Sequence, residues 1–242
     1  MEVIISAIKI IFLLGFLILI HELGHFIAAR LCGVKVKEFS IGFGKKLFEK
    51  VTKNTVYSIR VLPLGGYVSL KGLDQENDDV DSYTSVSLFK RIVIILAGAL
   101  VNIIFGIVVY FILISVMYDI QIAFTTTIDF VKNIFVSLQM IFTGHLQMEQ
   151  LTGPVGISNM VTETKAISEF IYLLAVVSLS LGITNLLPIP PLDGFKFILL
   201  IIEGIRRKSI SKKLEYSLQY LGFLALFVLS IVVTYNDIIK IV

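Results

Sequence analysis

The sequence predicts an α-helical polytopic membrane protein. Four transmembrane helices are expected, with a membrane-associated β-hairpin region after the first and an interfacial amphipathic helix before the third. Three observations lead there. Apolar residues make up 56% of the 242 residues and charged residues 16%, and the mean hydropathy is +0.91, too apolar for a soluble domain of this length. The apolar residues fall in long runs, each near the roughly 20 residues that cross a hydrocarbon core. The basic residues gather in two of the intervening loops.

The first span, about residues 3–30, opens with an apolar run from Val3 to Ile20 broken only by Ser6, Lys9 and Gly15. It is too long for a secretory signal and lacks a basic leader and a small-residue cleavage site, so it is expected to stay in the mature protein. The loop 34–72 holds two β-prone stretches, Val34 to Ser40 and Val56 to Leu62, punctuated by glycines at 42, 44, 65, 66 and 72. Strands at the membrane face are expected there. Asp74 to Ser87 is polar and acidic and reads as a flexible connector.

The second span, 92–117, carries no charge. Beyond it, Ile128, Val131, Ile134, Phe135, Leu138, Ile141 and Phe142 recur at helical spacing, with Asp129, Lys132, Asn133 and Gln139 on other faces. That pattern predicts an amphipathic helix over about 124–145 lying on the outer surface. The third span, 170–187, runs into Pro188, Pro190 and Pro191, which rule out a continuous helix. A short apolar stretch, Phe195 to Ile205, precedes the fourth span at 216–235.

Orientation follows from charge. Lys35, Lys37, Lys45, Lys46, Lys50, Lys53, Arg60 and Lys71 lie between spans one and two, and Lys90 and Arg91 at the next entry. Arg206, Arg207, Lys208, Lys212 and Lys213 lie between spans three and four, whereas the loop after span two holds only Lys132 and Lys165. The positive-inside rule then sets both basic loops in the cytosol and both termini outside. A net charge of +3 gives no reason to expect nucleic acid, and Cys32, the sole cysteine, excludes an intramolecular disulfide and a cysteine-based zinc site.

The chemistry is concentrated where span one ends, at His21-Glu22-Leu23-Gly24-His25. Two imidazoles four residues apart share one helix face and can hold one zinc ion, with the glutamate between them beside it. Ionisable groups are costly at membrane depth, so their presence there marks function. Zinc needs a third protein ligand if it is to keep a position for water. His145 falls on the wrong side of the membrane. Asp193, at the proline-rich break that ends the inward-running span three, reaches the depth of His21 and His25 and is the expected ligand. Capping of the following helix by Asp193 is compatible with that role. For Asn185 and Asn102, a hydrogen bond to a neighbouring helix is at least as good an account as catalysis.

His21-Glu-Leu-Gly-His25, followed by Asn185-Leu-Leu-Pro-Ile-Pro-Pro-Leu-Asp193-Gly194, resembles the site-2 protease family of intramembrane zinc metalloproteases. Pro63-Leu-Gly-Gly-Tyr67-Val is similar to that family's membrane-associated hairpin, Leu96-Ala-Gly-Ala-Leu-Val-Asn102 to its Ala-Gly-Pro…Asn segment, and Gly153-Pro-Val-Gly-Ile157 to an element of the bacterial regulator-of-sigma-E proteases. The resemblance implies one zinc ion held by His21, His25 and Asp193, with Glu22 as the general base. It implies substrate contacts from Asn185, Asn102, Gly65 and Gly66, and transmembrane protein substrates in a bacterial cytoplasmic membrane. Relatives of this type usually carry PDZ domains between spans two and three. Only residues 118–167 join them here, too few for such a domain of roughly 80–100 residues. Any size filter must then be absent or come from a separate adaptor. A non-proteolytic metal-binding membrane protein would need no base such as Glu22. A prenyl-protein-type membrane metalloprotease would expect a downstream glutamate or histidine ligand in place of Asp193.

Overall fold

In the computed structural model, residues 2–73, 79–143 and 153–241 are described. The elements in chain order are α1 (Glu2–Leu31), β1 (Val36–Val51), β2 (Val56–Leu70), α2 (Leu88–Met117), α3 (Ile120–Phe142), α4 (Pro154–Glu163), α5 (Ile167–Asn185), α6 (Asp193–Arg206) and α7 (Lys212–Ile241). Four helices, α1, α2, α5 and α7, are long and apolar enough to cross a membrane. In lipid every backbone amide must be satisfied within its own segment, which is why these apolar, proline-free runs settle as unbroken helices. By its contacts the chain divides into two units, one of Ile11–Asn102 with Leu181–Gly222, the other of Met1–Ile10, Ile103–Ser180 and Phe223–Val242.

In the first unit, α1 and α2 meet through small residues. A Cβ added to Gly24 would lie 2.6 Å from the Ala97 carbonyl, so only glycine permits this approach. Lipid tails offer no hydrophobic drive for helix association, and close backbone contact of this kind supplies packing energy in its place. β1 and β2 form an antiparallel two-stranded sheet. Val51 opposes Val56 at the turn, and Ser40 lies opposite both Tyr67 and Ser58, because the long strands bend and β2 flanks β1 on two sides. Gly42 and Gly44, at φ +86° and +85°, allow the bend. Phe26 of α1 packs edge-on against Phe39 of β1 at 5.2 Å, tying the sheet to the helix.

The connector departs from expectation in its described part. Ser82 and Tyr83 are buried, the Tyr83 N–H donates to the Lys71 carbonyl at 2.8 Å, and Lys35 N–H donates to the Asp81 carbonyl at 2.9 Å. Arg91 sits 5.0 Å above the Tyr83 ring and pairs with Glu203 of α6 at 2.9 Å. Polar composition suggested mobility here, but Asp79 and Asp81 pair with Lys71, Ser85 Oγ donates to backbone carbonyls, and one aromatic enters the core made by Ala29, Val34, Val36 and Leu200.

In the second unit, α3 runs beside α2. Tyr110 stacks on Phe130 at 4.2 Å, and Ala123 and Thr127 are buried. A helix is thus present at 120–142, and the residues it buries or stacks, Ala123, Thr127 and Phe130, are not those of the expected apolar stripe; residues 144 and 145 of its expected end, His145 included, lie outside the described residues. α4 is held at both ends by ionisable residues from other helices. The Asp237 carboxylate of α7 accepts the N–H groups of Gly153 and Gly156 at 2.9 and 2.8 Å. Lys9 of α1 donates to the Thr164 carbonyl at 2.8 Å. Each charge sits at the helix end whose dipole it complements.

Candidate metal centre

α1 presents His21, Glu22 and His25 over little more than one turn, and the proline break between α5 and α6 delivers Asp193 to them. A Cβ on Gly194 would collide with the Leu186 and Leu187 carbonyls, so the glycine after Asp193 lets α6 start hard against the break. The result is a triangle of donor atoms. His21 Nε2 lies 3.0 Å from Asp193 Oδ2, His25 Nε2 lies 3.2 Å from the same oxygen, and the two Nε2 atoms are 3.2 Å apart. Tetrahedral zinc with bonds of about 2.0–2.1 Å spaces its ligands about 3.3 Å apart, so the triangle is one face of such a tetrahedron to within a few tenths of an ångström. His21, His25 and Asp193 are the one group of three among the described residues that could hold a metal ion. A nitrogen–nitrogen–oxygen donor set suits zinc.

The surroundings support that use. His25 Nδ1–H donates to the Ile94 carbonyl of α2 at 2.8 Å, which fixes the tautomer and leaves the Nε2 lone pair for an ion. His21 Nδ1 is buried and has no hydrogen-bond partner among the described residues. Gly98 of α2 backs the two rings: a Cβ there would collide with His25 Nε2 and stand 2.8 Å from His21 Nε2. The three donors and Glu22 line a cavity of about 190 Å³ together with Tyr67, Val68 and Lys196. Such a volume admits water and part of a peptide.

The sequence-predicted residues divide. His21, Glu22, His25 and Asp193 come together, and Gly66 stands beside them, a Cβ on it lying 3.5 Å from Glu22 Cγ and 2.6 Å from the Ser40 carbonyl. Gly65 instead faces the Phe43 ring. Asn185 donates to the Leu181 carbonyl of its own helix at 3.1 Å, and Asn102 is fully buried in α2; neither lines the cavity. Gly98, the Ile94 carbonyl and Lys196 were not anticipated. Glycine within the apolar run of α2 was the available signal for the first, and a lysine one turn after the expected ligand for the last.

Comparison with known proteins gives a consistent result. Residues 9–229 match peptidase family M50. A Clostridium acetobutylicum protein provisionally named a zinc metalloprotease is 30% identical over 322 positions, covering 93% of this chain and 95% of its own length. The zinc metalloprotease RasP of Geobacillus kaustophilus is 24% identical over 414 positions, covering 97% of this chain and 98% of its own. The RasP of Shouchella clausii is 39% identical over 128 positions, covering 52% of this chain and 31% of its own length.

Proposed function

The chain belongs to peptidase family M50, the site-2 protease family, and from that premise we propose that it cleaves peptide bonds within transmembrane segments of single-span membrane proteins. It is a zinc metalloprotease. The observation that carries the reading is the donor triangle of His21, His25 and Asp193 with Glu22 lining the same cavity, at the end of an apolar helix.

His21, His25 and Asp193 would hold the zinc. Bound there, the ion would lower the pKa of a water toward about 7 and polarise the scissile carbonyl. Glu22 lines the cavity as the general base that would take a proton from the attacking water and pass it to the leaving amine. The Ile94 carbonyl keeps the His25 ring in its ligating orientation, and Gly98 leaves the rings room. A helical substrate hides its carbonyls in hydrogen bonds and must unwind before attack. The Gly66–Leu70 stretch of β2 pairs with β1 on one side, and Tyr67, Val68 and Leu70 line the cavity, so its other side offers an edge for the unwound segment by strand addition. Gly66 serves this edge by bringing backbone close to Glu22.

The basic loops support an orientation with the site toward the cytosol of a bacterial cytoplasmic membrane and both termini outside. Substrates of the anti-sigma-factor or signal-peptide-remnant kind, trimmed beforehand outside, fit that orientation, and a separate adaptor would supply any further selection. The test is Glu22→Gln in the purified full chain. Zinc content should stay at the wild-type level while cleavage of a single-span test substrate falls by at least 100-fold, the lower end of general-base contributions. Unchanged cleavage would overturn the proposal.

A further inference from the structure

Lys196 lies on α6 one turn beyond Asp193, and its ammonium stands 3.8 Å from Asp193 Oδ1. The two carboxylate oxygens therefore face different partners, Oδ2 the histidine nitrogens and Oδ1 the lysine. Among the residues lining the cavity, Lys196 alone is lysine or arginine. Its position is unfavourable by local rules, since a cation near a helix N-terminus opposes the helix dipole. A residue that breaks a local rule beside a site needs a compensating role.

Building on the ligand assignment proposed above, we propose that Lys196 is a positioning residue that holds Oδ1 and so confines Asp193 to ligation through Oδ2 alone. A carboxylate free at both oxygens can swing to grip an ion with two atoms. Doing so would fill the position that a hydrolytic zinc site keeps for water. The lysine opposes that swing by charge, and its i, i+3 placement on the same helix face keeps it there whatever the state of the substrate.

The experiment compares wild type, Lys196→Met and Lys196→Arg in the full chain purified in detergent. Zinc affinity is measured by chelator competition, and coordination by the visible absorption of the cobalt(II)-substituted protein, intense when four-coordinate and weak when five-coordinate. Lys196→Met should diminish the cobalt absorption as the freed carboxylate grips with both oxygens, without weakening zinc binding, and Lys196→Arg should restore the wild-type spectrum. Wild-type absorption in Lys196→Met would overturn the proposal, even if cleavage were lost, because the lysine would then be acting on substrate. His25→Ala is measured alongside and should release the metal. If it does not, the ligand assignment itself fails, a result distinct from any outcome at Lys196.

Discussion

Gly98 carries no functional group, yet the site depends on it. The imidazoles of His21 and His25 occupy the space its side chain would fill, so Gly98→Ala must push both rings off the donor triangle. The expected outcome is a loss of zinc affinity of about tenfold or more, comparable to removing a partner of the ligands, with helical content unchanged by circular dichroism. Wild-type zinc occupancy in Gly98→Ala would show that the rings can yield. The contrast with Asp193 explains what was legible at this scale. Metal chemistry restricts ligands to a few residue types, and the direction of the third span fixes the depth of Asp193, so the donors could be read from spacing and charge. The Ile94 carbonyl leaves no trace in residue identity, and the space at Gly98 exists only once α1 and α2 cross. Asn185, read as a substrate contact by resemblance, donates to the Leu181 carbonyl of its own helix.

Among the elements, the sheet is held by a charge cluster that the strand pattern did not reveal. Arg60 donates to Glu38 at 2.9 Å, to Tyr67 Oη at 2.8 Å and to Ser40 Oγ at 2.9 Å, and Ser58 donates to Glu38 at 2.7 Å. Burial pushes the Glu38 carboxyl up, but the hydrogen bonds from Ser58 and Arg60 and the charge of Lys46 outweigh it and hold it at about 2, below its ordinary 4.5. A depressed carboxyl stabilises the folded state above its unfolded pKa and loses that contribution as pH falls through the folded one. The extra hydrogen-exchange protection of the strands in wild type over Glu38→Gln should therefore persist down to about pH 4.5 and vanish toward pH 2. Protection that differs equally at pH 7 and pH 2 would assign the effect to shape instead of charge. α4 offers a second case. Asp237→Ala leaves the Gly153 and Gly156 N–H groups without their acceptor, and should cost about 1–3 kcal/mol in detergent unfolding, with Asp237→Asn costing less. An unshifted unfolding midpoint would mean the two N–H groups find other acceptors. The long helices were legible because lipid demands unbroken apolar runs. The packing of residues 79–87 was not, since it depends on Lys35 and on α6, far along the chain, and that of α3 was not, since it depends on which face meets α2.

For the whole molecule, the consequence lies in how little chain separates α2 from α5. The described residues of this stretch form α3 and α4, and both pack on membrane-spanning helices, through Tyr110 with Phe130 and through Asp237 and Lys9. The match to the Clostridium acetobutylicum relative runs over more positions than this chain has residues, so that relative carries insertions this chain lacks. Residues 118–167 are fewer than the roughly 80–100 of a soluble filter domain. Substrate selection would rest on how readily a helix unwinds near the scissile bond, with Gly there lowering the cost by about 1 kcal/mol and Pro by about 3 kcal/mol relative to alanine, and Asn by less. Two comparisons separate these modes of selection in the purified protein without partners. A single-span test substrate with its bulky outer domain should be cleaved at nearly the same rate as the same substrate trimmed of it. A glycine pair placed near the scissile bond should instead raise the rate several-fold in both forms. Strong preference for the trimmed form would reveal a size filter within these 242 residues and overturn the expectation, because selection would then act on the bulk of the substrate and not on the unwinding of the bound helix.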